Sequence, residues 1–252
     1  MRLHDYLEYY ARENPDHPYA EMDGVVVSYG EADIRANQIA HALLSAGLAK
    51  GDRFSYLSKN SIDMAIMFFA ASKVGIVPVP LNYRLAPKEW LYIVTDSESK
   101  LLLAADEFLD GIDSIRNELE SVHTFVDLSD SSRDDWLVYN DWLASVPDTK
   151  PNDDVAEEDQ LYQMYTSGTT GLPKGAMLSQ KAVDSNLHMI AAGLQLMTDD
   201  RFMVAVPMYH AAAGISLMTS ARMGVTIVIH REFDPVAVVN CLEKDRISSA
   251  TL

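Results

Sequence analysis

Cysteine is nearly absent. Cys241 stands alone in 252 residues, so no disulfide can close within the chain, and the composition suits a reducing compartment. Long apolar runs are missing too. The best of them, Met64–Ala71, is far short of the roughly 20 residues that cross a bilayer. Met1–Asn14 scatters Arg2, Asp5, Glu8, Arg12 and Glu13 among its apolar side chains, so no signal peptide is visible there. These absences point to a soluble, cytoplasmic protein without a transmembrane segment. Basic charge is scarce: 20 Lys+Arg face 37 Asp+Glu, for a net charge of −17. That sign argues against a nucleic-acid partner. The seven histidines show no metal-ligand spacing, and with one cysteine no metal site held by the protein is expected.

The apolar fraction of 48% is ordinary for a chain that buries a core. The acidic excess is concentrated. Residues 96–160 hold 19 acidic and four basic side chains, −15 of the −17. Such a run reads as a solvated face. Because it would repel a polyphosphate, an anion site is expected elsewhere. Trp136, Tyr139 and Trp142 lie inside this run, so part of it should fold down onto a core.

Helix and strand signals alternate. Leu3–Glu13 reads as a helix, and Asp23-Gly24 is a two-residue hairpin signal between Tyr19–Met22 and Val25–Tyr29. Tyr29–Ala46 carries a helical apolar face that Gly47 can close. The expected order continues as strand Arg53–Leu57, helix Ile62–Ser72, strand Gly75–Pro80, helix Pro87–Asp96, strand Lys100–Ala104, helix Asp106–Glu120 and strand Val122–Val126. After the acidic run come strand Asp159–Thr166, strand Gly175–Leu178 and a helix capped by Ser179. Strand Arg201–Val206, helix Ala211–Arg222, strand Val225–Ile229, helix Pro235–Asp245 and strand Ile247–Thr251 follow. This α/β alternation implies mainly parallel sheets covered by helices on both faces. The chain stops at Leu252, in a strand that should be central, and a fragment is the expected explanation.

Between Tyr165 and Gly175 the chain reads Tyr-Thr-Ser-Gly-Thr-Thr-Gly-Leu-Pro-Lys-Gly. Glycines Gly168, Gly171 and Gly175 let backbone N–H groups approach an anion. Hydroxyls on Thr166, Ser167, Thr169 and Thr170 donate hydrogen bonds to phosphate oxygens, and Lys174 adds a mobile positive charge. The common P-loop needs four residues between its glycines and a hydroxyl after the lysine. Here two residues separate Gly171 from Lys174, and Gly175 follows it.

The order TSGTTG-x-PKG resembles the signature of the adenylate-forming superfamily, which includes acyl-CoA ligases, luciferases and peptide-synthetase adenylation domains. Other segments match in order: Ser28-Tyr29-Gly30-Glu31-Ala32, then Asn37-Gln38-Ile39-Ala40; Gly51-Asp52-Arg53, then Asn60; Pro80-Leu81-Asn82-Tyr83-Arg84-Leu85, similar to acyl-CoA ligases; and Pro207-Met208-Tyr209-His210, similar to the acid-pocket motif. Two departures are Ala32, where leucine is more usual, and Gln180, where histidine is usual. The resemblance covers this whole chain but about the first half of the family's length. It implies the N-terminal part of an acyl-CoA-synthetase-like fold, with two α/β subdomains, truncated before a β-barrel and a C-terminal lid. Residues 1–45 would join the second subdomain, 46–195 form the first with the phosphate loop at 166–175, and 196–252 begin the second with the acyl pocket.

The resemblance also implies the chemistry. A carboxylate attacks the α-phosphorus of ATP, pyrophosphate leaves, and CoA converts the acyl-AMP to a thioester, as an acid–thiol ligase does. Lys174 would draw charge onto the leaving pyrophosphate, and His210 would bond the reacting acid or gate the thiol tunnel. Met208 and Tyr209 would wall the pocket. The run Ala211-Ala212-Ala213-Gly214 either gives an acyl chain room or permits close helix–sheet packing. Arg84 either faces the CoA nucleotide or makes a structural ion pair. Mg²⁺ would be held by ATP and by later residues, since the metal acid, the ribose aspartate, the hinge and the lid lysine all lie beyond this chain. The 252 residues alone are therefore expected not to complete adenylation. The competing readings are a fatty-acyl-AMP ligase or adenylation domain that loads a carrier protein, and a non-catalytic nucleotide-binding fragment. The identity of the acid and the oligomeric state are not legible.

Overall fold

The computed structural model describes residues 1–129, 131–152, 154–166 and 171–252. The elements run in chain order as α1 (Leu3–Glu13), β1 (Pro18–Met22), β2 (Val25–Ser28), α2 (Tyr29–Ser45), β3 (Arg53–Leu57), α3 (Ile62–Val74), β4 (Val77–Pro80) and α4 (Pro87–Asp96). Then come β5 (Ser99–Ala104), α5 (Leu109–Asp113), β6 (Thr124–Asp127), β7 (Leu137–Val138), α6 (Tyr139–Ala144), β8 (Gln160–Thr166) and β9 (Lys174–Ser179). The last are α7 (Gln180–Leu194), β10 (Arg201–Val204), α8 (Ala211–Met223), β11 (Thr226–Ile229), α9 (Pro235–Lys244) and β12 (Ser249–Thr251).

Among the described residues one sheet has the order β4-β3-β5-β6-β7, with every pairing parallel. A second has the order β12-β10-β11-β1-β2, parallel except for the β1–β2 hairpin. Asp23 (φ 51°) and Gly24 (φ 82°) make the hairpin turn, as the Asp-Gly pair predicts. A two-stranded antiparallel pair, β8–β9, runs beside β4.

Side-chain alternation shows how the layers stack. Phe202 and Val204 of β10 face a large central core, while Met203 and Ala205 face a separate cluster with Val238 and Cys241 of α9. Leu101 and Leu103 of β5 join the central core; Leu102 and Ala104 pack against Trp90 and Ile93 of α4. Each sheet therefore buries both faces, which is why its strands read as continuous apolar runs. Helices α2 and α3 pack between the sheets. Within α3, every residue from Met64 to Val74 is buried. Even Lys73 is buried (0% exposed), held by Glu8 at 2.6 Å and Asp33 at 2.8 Å.

Caps fix the helix ends where the sequence puts them. Ser28 and Glu31 form a reciprocal capping box on α2, and Ser61 accepts from the Met64 amide at 3.0 Å. Ser179 accepts from the Ala182 amide at 3.2 Å to start α7. Two features depart from the sequence reading. The helix expected over Asp106–Glu120 is broken into 3₁₀ turns flanking the short α5. Gly111 explains part of this: a Cβ there would come within 2.8 Å of the Trp90 ring, so close packing at this point takes a residue that is a poor helix former. The strands bracketing the glycine-rich loop form an antiparallel hairpin rather than members of a parallel sheet. The acidic run folds down as its aromatics suggest, with Trp136, Tyr139 and Trp142 all buried.

Candidate active site

The glycine-rich stretch is the tip of the β8–β9 hairpin. In the register, Thr166 lies opposite Lys174 and Tyr165 opposite Gly175. Ser167, Gly168, Thr169 and Thr170 lie outside the described residues. At the hairpin's roots, Thr166, Gly171 and Lys174 are exposed. Lys174 has no carboxylate partner among the described residues, so its charge is available to an anionic ligand.

A cavity of about 240 Å³ opens at this root. Its walls come from three places: Tyr165, Thr166, Gly171 and Pro173 of the hairpin; Pro80 at the end of β4 with Asn82 and Leu85 after it, and Glu89 and Ile93 of α4; and Tyr209 after β10. Three motifs far apart in sequence thus meet at one opening. A larger cavity of about 510 Å³ lies between the β1–β2 hairpin and α9, but it contains none of the motif residues. We take the smaller one as the site because the chemistry converges there.

The Pro207–His210 segment is clamped by a residue in the β3–α3 turn. Asn60 is 1% exposed. Its side-chain amide donates to the Val206 and His230 carbonyls, both at 2.9 Å, and its oxygen accepts from the Met208 amide at 2.7 Å. Its backbone N–H donates to the Arg231 carbonyl at 3.2 Å. One buried side chain therefore ties the ends of β10 and β11 to the other sheet. In the sequence Asn60 sits in a Ser-Lys-Asn-Ser turn, where asparagine is unremarkable; only its order among the matched segments marked it.

Beyond that clamp Met208 is fully buried and Tyr209 nearly so. Tyr209 meets the Tyr83 ring edge-on at 5.3 Å and the His210 imidazole at 4.4 Å. His210 stands at the N-cap position of α8, with no capping hydrogen bond from its side chain. Desolvation, with a smaller contribution from the Arg84 guanidinium, lowers its pKa from the ordinary 6.5, which favours the neutral imidazole that can accept a hydrogen bond. Arg84 is exposed, lies over the Tyr83 ring at 5.6 Å and makes no ion pair among the described residues. A Cβ on Gly214 would come within 3.1 Å of the Met164 methyl. Helix α8 thus runs close to β8 at this point, although neither residue lines the cavity.

Gly175 has a steric role that sequence reasoning did not supply. A Cβ there would overlap Gln163 Nε2 and come within 3.0 Å of the Tyr165 ring. Among the described residues no cluster of three metal-binding side chains comes together, and no helix is long and apolar enough to cross a membrane.

Two mainly parallel sheets flanked by helices thus carry the glycine-hydroxyl-lysine hairpin beside the Tyr209-His210 pair. The chain belongs to the AMP-binding enzyme family, which matches residues 7–252. It is 33% identical over 226 residues to the long-chain-fatty-acid–CoA ligase FadD13 of Mycobacterium tuberculosis, covering 88% of this chain and 43% of that protein. It is 32% identical over 247 residues to the fatty acid–[acyl-carrier-protein] ligase ScoC of Streptomyces coeruleorubidus, covering 96% and 46%. The N-terminal domain of FACL13 from M. tuberculosis, solved with a bound inhibitor, superimposes with a TM-score of 0.90 at 30% identity, over 98% of this chain and 61% of that one. The chain spans about half the length of the curated relatives it matches.

Proposed function

We propose that this chain supplies the ATP-phosphate and acid-binding parts of an acyl-CoA ligase that joins a carboxylic acid to CoA through an acyl-AMP. The observation that carries this reading is the shared opening of the hairpin root and Tyr209, with the Tyr83–Tyr209–His210 array beside it. Two anions must meet there in line. In this reading Lys174, the hydroxyls of Thr166, Ser167, Thr169 and Thr170, and the backbone at Gly168, Gly171 and Gly175 neutralise and orient the triphosphate. Mg²⁺ would arrive on the nucleotide and screen the same charge. Neutral His210 accepts a hydrogen bond at the acid side, and Met208, Tyr209 and Gly214 shape the wall of the acyl pocket. Arg84, exposed and without a carboxylate partner among the described residues, would face the CoA nucleotide.

Strand order supports a division in which residues 1–45 and 196–252 surround one sheet, and 46–195 hold the other sheet, β3 to β7, together with the separate β8–β9 pair. Because the chain covers about half of its relatives, we assign the complete reaction to a full-length cytoplasmic enzyme. We expect the 252 residues alone to form no acyl-AMP. A second reading, transfer to a carrier protein, is favoured by the similarity to ScoC. The test is to incubate the full-length enzyme with ATP and a panel of fatty and aryl acids, offering CoA or a phosphopantetheinyl carrier protein, and to identify thioesters by mass spectrometry. Acid-dependent AMP release with acyl-CoA formation is expected. AMP release with carrier thioester only would select the second reading, and no acid-dependent AMP release would refute both.

A further inference from the structure

We propose that Asp96 and Tyr92, at the end of α4, are positioning residues that fix the roots of the triphosphate-binding hairpin; this rests on the reading above. The Tyr165 hydroxyl donates to Asp96 at 2.6 Å, and Gln163 Nε2 donates to that hydroxyl at 3.1 Å. On the other strand's side, the Tyr92 hydroxyl donates to the Pro173 carbonyl at 3.1 Å. One turn of α4 thus grips the residue before Thr166 and the residue before Lys174, the two ends of the described hairpin root.

Two further observations separate this from ordinary surface bonding. Asp96 is the last residue of α4, where the helix dipole disfavours an anion. Local helix chemistry does not account for a carboxylate there, but the Tyr165 hydroxyl does. Gly175 lies opposite Tyr165, and any side chain on it would intrude on the bonded Gln163–Tyr165 pair. Gly175 therefore keeps that pair in place rather than only admitting a phosphate. Ile93 and Glu89, on the adjoining face of the same helix, line the cavity at the hairpin root, so α4 couples the grip to the site. Holding both roots fixes where Thr166 and Lys174 stand relative to each other, so less ordering is left for binding a triphosphate that touches both.

The test measures calorimetric affinities for ATP and for AMP with the full-length protein. Tyr165→Phe and Asp96→Ala should each weaken ATP about three- to tenfold and leave AMP within about twofold, the scale of one charge-assisted hydrogen bond. The double variant should be no worse than either single one. Asp96→Asn, which still accepts from the tyrosine, should recover most of the loss, and Tyr92→Phe should act in the same direction. Equal weakening of ATP and AMP would mean general loosening and would overturn the proposal. Unchanged ATP affinity in Tyr165→Phe and Asp96→Ala, with Lys174→Ala still weakening ATP, would overturn the anchoring but leave the loop assignment standing. If Lys174→Ala has no effect either, the nucleotide reading itself fails.

Discussion

Asn60→Ala should destabilise the fold out of proportion to its size. The substitution removes three side-chain hydrogen bonds, leaving the Met208 amide and the Val206 and His230 carbonyls without their partner. A buried backbone group left unpaired costs about 1–3 kcal/mol. Val206 and His230 are only half-buried and regain water readily, so a total of about 2–4 kcal/mol is expected. Asn60→Asp is nearly isosteric yet should be worse at neutral pH, because it points a carboxylate oxygen at two carbonyl oxygens. That arrangement raises the folded-state pKa of the new carboxyl. The extra penalty should shrink as pH falls through that raised pKa, where the protonated acid can donate again. Urea denaturation of wild type and both variants, at pH 7.5 and near pH 5, measures this directly. An Asn60→Ala loss below about 1 kcal/mol, or an Asn60→Asp variant that does not recover in acid, would refute the clamp.

His4 is fully buried with Nδ1 2.8 Å from the Ser72 hydroxyl, and burial lowers its pKa from 6.5 to about 4, the nearby Asp5 carboxylate opposing only in part. Above pH 6.5 neither state binds the proton; between about 6.5 and 4 only the unfolded chain does, so stability falls across that window by up to about 3 kcal/mol. In denaturation series across this range, His4→Asn should flatten the slope, and an unchanged slope would contradict the assignment. Gly224 closes α8 at φ 71° with the Tyr10 ring against it; Gly224→Ala should cost about 2 kcal/mol or more in urea melts, and a neutral result would contradict that packing. Arg84→Met should raise the His210 pKa part of the way towards 6.5, read by NMR titration of the imidazole, since burial is the larger cause and remains.

Much of this architecture is legible in the chain because local signals agree with the fold. Ser179 and Asp23-Gly24 mark boundaries where the structure puts them. The hairpin geometry of β8–β9 was not legible, since an apolar strand entering a glycine loop looks the same in a parallel or an antiparallel setting. Asp106–Glu120 misled because its pattern is helical, whereas Trp90 contact at Gly111 and the Arg116 guanidinium packed on Phe125 and Trp136 decide its path. At the site, the loop and the Tyr209-His210 pair stand out by composition. Asn60, Tyr92 and Asp96 do not, because each acts on partners distant in sequence: Asn60 reaches 146 to 170 positions away, and Asp96 reaches 69.

The most direct test of the central assignment is acid-dependent exchange of labelled pyrophosphate into ATP by the full-length enzyme, wild type against Lys174→Ala. Exchange that requires a carboxylic acid and falls about tenfold or more in the variant is predicted, the scale of a charge-assisted phosphate contact. Exchange that ignores the acid, or that survives the loss of Lys174 undiminished, would contradict a hairpin that holds the triphosphate for adenylation.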